Sequence, residues 1–133
     1  MIGSKMKEKK KIDIKSLTGG WNLVHHHRVD KYGVARSTGE DVKGKLIYAS
    51  DGALAVVITK RQTEPLTMKD ISCYAGRFTF DGTCVHHHIA VSTRLERIGL
   101  TLKRTVTLSG DLLTLRSDPD GDGHFEIAWK REK

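Results

Sequence analysis

The sequence predicts an all-β protein: a single up-and-down antiparallel barrel of about eight strands behind a short N-terminal lead-in. Three observations carry this. The 133 residues are one domain's worth of chain. Helix signals are scarce, whereas short apolar and β-branched runs recur between Asp-Gly, Gly-Asp and Ser-Gly punctuation. Most of these runs follow one another as hairpins, the order in which an antiparallel sheet closes on itself.

Residues 1–15 read as a lysine-rich, unstructured leader, and residues 16–133 as the barrel domain. The leader holds lysines 5, 7, 9, 10, 11 and 15 against Glu8 and Asp13, so it supplies +4 of the chain's +7. The body is close to charge-balanced, has few aromatics and carries no nucleic-acid motif, so no nucleic acid is expected as a partner. No apolar run approaches the roughly 20 residues of a membrane helix. The N-terminus lacks a signal-peptide core, and two cysteines read as reduced thiols. The expectation is a cytoplasmic protein without a membrane partner; a homodimer is left open.

The strands are expected at Trp21–Val29, Gly44–Ser50, Ala53–Lys60, Cys73–Phe80, Thr83–Ser92, Gly99–Leu108, Asp111–Arg116 and His124–Arg131. Arg61–Ser72, with Pro65 inside it, reads as a loop or short helix. Strict alternation then separates inside from outside. It places Trp21, Leu23, His25 and His27 on one face. Val85, His87, Ile89 and Val91 share another with Tyr74, Gly76, Phe78 and Phe80. A two-residue turn at Asp81-Gly82 would set His87 opposite Gly76, with open space before the ring. Arg104, Val106 and Leu108 face inward with Leu113 and Leu115, as do Phe125, Ile127, Trp129 and Arg131. The Asp51-Gly52 hairpin is apolar on both faces; Leu54, Val56 and Ile58 are taken as internal, grouped with Ile47 and Ala49.

Several motifs now fall in a recognisable order. Leu17-Thr18-Gly19-Gly20-Trp21 resembles the glycine-x-tryptophan opening of lipocalin folds, and Gly44 to Gly52 is similar to the second-strand signature of the bacterial lipocalin-like domain family. Tyr74-Ala75-Gly76-Arg77-Phe78, His87 to Ser92, Leu108 to Leu115 and Trp129-Lys130-Arg131 follow in that family's order. The resemblance spans roughly residues 17–131 and implies a small ligand-holding barrel without fixing a chemistry. It also implies that Arg131 packs across Trp21. Departures are the short Arg61–Ser72 connection and the histidines at 25, 26, 27 and 86.

The inward Arg104 is the most informative residue. A guanidinium cannot be deprotonated, and no Asp or Glu is assigned to its face, so it needs an anion, water or an aromatic ring. The two histidine triplets, His25–His27 and His86–His88, cannot each be a three-ligand metal site, because neighbours on a strand point to opposite faces. His25 and His87 are expected inside, as an acid/base pair, as metal or haem ligands, or as satisfied interior histidines. Asp118 to Gly123 matches the first half of a calcium loop, but Trp129 stands where the bidentate Glu belongs.

The leading expectation is therefore a barrel holding a small, largely apolar molecule with an anionic or carbonyl group. Tyr74, Phe78, Val85, His87, Ile89, Val91, Arg104, Val106, Leu115 and Phe125 would line it. The alternatives are a cofactor-free cyclase, isomerase or dehydratase acting on a polyketide- or terpenoid-like substrate with His87, His25 and Arg104, a histidine-based metal or haem protein, and a packed core. No cofactor and no metal ligand set are expected.

Overall fold

A computed structural model describes residues 12–133; the preceding residues, with most of the lysine-rich leader, lie outside it. Nine strands form one antiparallel sheet: β1 (Gly19–Asp30), β2 (Ala35–Ser37), β3 (Lys43–Tyr48), β4 (Ala53–Thr59), β5 (Ile71–Phe80), β6 (Cys84–Ser92), β7 (Thr101–Ser109), β8 (Leu112–Arg116) and β9 (Gly123–Arg131). β1 and β3 to β9 run in sequence order, and β1 pairs back onto β9, from Trp21 opposite Arg131 to Asp30 opposite Gly123, closing an eight-stranded barrel. The expected fold class is the observed one.

β2 is the extra strand. Its three residues are all exposed, so it has no apolar alternation to read. It lies against the far half of β1 through a turn at Asp30, whose carboxylate accepts hydrogen bonds from the backbone N–H groups of Tyr32 and Val34. The Arg61–Ser72 connection contains one short 3-10 turn, Met68–Asp70, and another, Leu95–Arg97, lies between β6 and β7.

One end of the barrel is filled. Leu17, Trp21, Leu46, Tyr48, Leu113 and Val85 are fully enclosed there. The Trp21 indole N–H donates to the Leu17 carbonyl at 2.9 Å. The Arg131 guanidinium lies 4.3 Å from the Trp21 ring centre and donates to the carbonyls of Ser16 (2.6 Å) and Thr18 (3.1 Å). Arg131 thus ties the incoming chain across the closed end, as the lipocalin resemblance implied. Arg131→Met keeps the stem and removes these donors and the cation–π contact; thermal denaturation should show a loss of about 2 kcal/mol.

The observed faces differ from the expected ones at three places, two of them bulges and one a turn. In β1 the register shifts between Leu23 and His25, so Val24 is an extra residue. Beyond this bulge the faces exchange: His26 points in, and His25 points out with its ring stacked on His27 at 4.0 Å. In β6 a second shift leaves Ala90 unpaired between Ile89 and Val91, and Val91 turns outward, 59% exposed. In the β3–β4 hairpin Tyr48 pairs with Leu54 and Leu46 with Val56. Leu54, Val56 and Ile58 are internal as expected, but their partners are Leu46 and Tyr48, while Ile47 is exposed. A turn differing by one residue from the expected one exchanges those faces.

The Asp81-Gly82 connection also differs. The Asp81 carboxylate accepts from the N–H groups of Thr83 and Cys84, and the Asp81 N–H donates to the Cys84 carbonyl. The loop is thereby longer by two residues, which preserves faces but slides the pairing. His87 stands opposite Phe78, not Gly76. Gly76 is needed for another reason: a Cβ there would lie 1.9 Å from the His88 carbonyl oxygen, pressed close by the β6 bulge.

Candidate functional site

A cavity of about 310 Å³ occupies the other half of the barrel. Leu46, Val56, Ile58, Leu102, Leu115 and Ile127 form its apolar wall, with the rings of Phe125 and Trp129. Its polar groups arrive from several strands: His26 from β1, Ser72 and Tyr74 from β5, His87 from β6 and Arg104 from β7. Lys60, just past β4, and Arg94 and Arg97, in the β6–β7 connection, complete the lining. Among the described residues, four cationic side chains therefore line the cavity, and no Asp or Glu does.

Arg104 makes no ion pair with any described residue; its recorded bond is from Nη1 to the Lys103 carbonyl at 3.0 Å. Burial pulls its pKa below the ordinary arginine value, and Arg97 adds to this while Tyr74 and Tyr48 oppose it. Lys60 is lowered by burial first and then by Arg94 and Arg97. The positive charges thus crowd one another, an arrangement that an anion relieves. Trp129 is 2% exposed, and its indole N–H has no hydrogen-bond partner among the described residues.

His87 is 2% exposed and engaged at both ring nitrogens. The Tyr48 hydroxyl lies 2.6 Å from Nε2, and the Tyr74 hydroxyl 2.7 Å from Nδ1. Burial, followed by the nearby Arg104, pushes its pKa down to about 3, so the ring is neutral at physiological pH. Burial raises both tyrosines, Tyr74 to about 12. The chain Tyr48–His87–Tyr74 is thus an uncharged hydrogen-bond relay. With both nitrogens occupied, His87 has no lone pair free for a metal. His26 is also neutral, its pKa brought to about 4 by burial and then Lys60, and its Nδ1 lies 2.8 Å from Thr38 Oγ1.

Of the residues expected to line the interior, Tyr74, His87, Arg104, Leu115 and Phe125 do. Phe78, Val85 and Val106 belong to the packed core instead; Phe78 lies against Tyr48 at 4.5 Å between ring centres. Ile89 is buried but outside the cavity lining. Val91 and His25 are on the outer face, displaced by the two bulges, and His25 therefore cannot pair with His87 inside. Outside, His88 is held between Thr79 and Thr101. Asp120, in the calcium-like loop, pairs with Arg28 at 2.5 Å. Among the described residues no group of three His, Cys, Asp or Glu side chains comes together as a metal-ligand set.

A family model described as the lipocalin-like domain matches residues 18–131. The chain belongs to the lipocalin-like domain family. Comparison with curated proteins gives no match. Among solved structures, a redesigned β-barrel aligns with a TM-score of 0.53 over 95% of this chain and 100% of its own, at 12% identity. That likeness concerns the fold alone. A lipocalin-like barrel is a ligand-holding architecture in general terms, and in this lipocalin-like domain the lumen is half core, half cavity.

His26, Tyr48, Lys60, Arg94 and Arg97 escaped the sequence reading. His26 required knowledge of the bulge, and Tyr48 of the turn. The three cations sit at strand ends and in a loop, where alternation says nothing. Arg94 and Arg97 lie in the segment between β6 and β7, to which a strand period does not apply.

Proposed function

We propose that this lipocalin-like barrel binds a small amphipathic molecule, its apolar body against the Leu46, Ile58 and Leu115 wall and its anionic or carbonyl oxygen toward Arg104. One observation carries the reading: among the described residues the cavity is lined by Lys60, Arg94, Arg97 and Arg104 and by no carboxylate. A partly buried charge is stabilised by a counter-charge, and among the described residues Arg104 has no ion-pair partner, Asp118 acting on it only from a distance. A volume of about 310 Å³ lies within the range of small-molecule sites and admits a compact ligand.

The test uses anilinonaphthalene sulfonate, an apolar anion whose fluorescence rises in a dry site. Wild-type protein should bind it in a saturable way, and Arg104→Gln, which keeps polarity but removes the charge, should bind about 10-fold more weakly or worse. Equal affinities in the two proteins would contradict the reading.

A second reading, proton transfer at the carbon beside a bound carbonyl, is favoured by one feature: the neutral His26 imidazole lines the same cavity. His26 would take the hydrogen as a proton while the C–H electrons move into an enolate held by Arg104; the proton would then return to carbon. Wild-type protein should speed hydrogen–deuterium exchange of cyclohexanone in deuterated water, and His26→Asn should not. Absence of any acceleration removes this reading and leaves binding intact.

A further inference from the structure

We infer that the buried Tyr48 fixes His87 in its Nδ1–H form and thereby turns the Tyr74 hydroxyl into a hydrogen-bond donor to the cavity ligand. This deepens the binding reading above, since the donor it assigns would act beside Arg104. The argument is an account of protons. A neutral imidazole has one N–H and one lone pair, and each ring nitrogen of His87 faces one tyrosine hydroxyl. Two arrangements satisfy both contacts.

In the first, Tyr48 donates to Nε2 and the Nδ1–H donates to Tyr74, whose own hydrogen is left free. In the second, the Nε2–H donates to Tyr48, and Tyr74 spends its hydrogen on Nδ1. The second leaves the Tyr48 hydrogen without an acceptor. Tyr48 is fully enclosed, and His87 is the one recorded hydrogen-bond partner of its hydroxyl among the described residues. Tyr74 differs, because it lines the cavity and can pass its hydrogen to a ligand or to water. A buried hydroxyl donor left unsatisfied disfavours the second arrangement by roughly 10-fold or more in population.

Tyr48 touches no ligand and is a positioning residue; Tyr74 is the group that meets the ligand. The lumen is then lined by two donors from the strands that flank β6, the Tyr74 O–H on β5 and the Arg104 guanidinium on β7. The two also lie within electrostatic reach of each other. Such a pair selects a ligand oxygen that only accepts: a carboxylate, an enolate or a carbonyl.

Heteronuclear NMR of the imidazole ring nitrogens at neutral pH tests this on the ligand-free wild-type protein. His87 should carry its proton on Nδ1, the less common form of a neutral histidine; a proton on Nε2 overturns the inference. The functional arm uses decanoate. Tyr74→Phe should weaken its binding by about 10-fold, and Tyr48→Phe by about 3-fold, with no further loss when Tyr48→Phe is added to Tyr74→Phe. Additive losses in the double variant would also overturn it. The NMR result needs no ligand, so failure of decanoate to bind at all would reject the binding reading while leaving the tautomer decided separately.

Discussion

Acidification from pH 6.5 to about pH 5 should cost the barrel about 3 kcal/mol of stability, and His87 and His26 should account for most of it. Both histidines titrate in the fold well below their ordinary value of 6.5, His87 at about 3 and His26 at about 4. Above pH 6.5 they are neutral folded and unfolded alike, and their contribution is complete. As the pH falls below 6.5, the unfolded chain takes up protons that the fold refuses, so stability declines with every step toward the folded values. Below about pH 3 both states are protonated and the loss is finished. The upper part of this window lies above the carboxylate range, so the exposed Asp and Glu pairs do not confuse the reading. Urea denaturation at a series of pH values measures it. His87→Gln should flatten the slope by about half; an unchanged slope would show that His87 is not held neutral.

The second large effect concerns the β6 bulge. Gly76→Ala should destabilise the protein by about 3 kcal/mol or more, since the added methyl meets a backbone oxygen rather than a movable side chain. The His88 carbonyl would lie 1.9 Å from the new Cβ and the Ala90 nitrogen 3.0 Å away. Relief requires β6 to shift relative to β5, and that shift acts on the candidate site. Tyr74 lies two residues before Gly76, and its alignment with His87 depends on the extra residue Ala90. The variant should therefore lose anion binding along with stability. A variant that unfolds within about 0.5 kcal/mol of wild type would show that the bulge is not the constraint described.

These two residues also mark how far the sequence could be read. The eight barrel strands, their hairpin order and the inward faces of β7, β8 and β9 were all legible. Val106, Leu108, Leu113 and Leu115 repeat every second residue on a regular hairpin, and that repeat places Arg104 in the lumen. The same repeat places His87 inside, and a two-residue change in turn length leaves its face unaltered. Alternation carries no mark of a bulge, however. One extra residue at Val24 exchanged His25 for His26, and another at Ala90 expelled Val91. At Tyr48 both faces of the hairpin were apolar, so nothing in the pattern could expose a one-residue error. The partner that holds His87 was hidden by that symmetry. The hydrophobic pattern thus specified the barrel, whereas bulges and turn lengths, set by single backbone contacts, decided which side chains met inside it.

The central claim is that the lumen reads negative charge or an equivalent acceptor on an apolar molecule. Calorimetric titration of the wild-type protein with decanoate and, separately, with decanol puts that claim to its most direct trial. The two share one chain and differ in the group that would face Arg104. Decanoate should bind at one site per barrel and at least about 10-fold more tightly than decanol. Equal affinities, or tighter binding of the alcohol, would contradict the account.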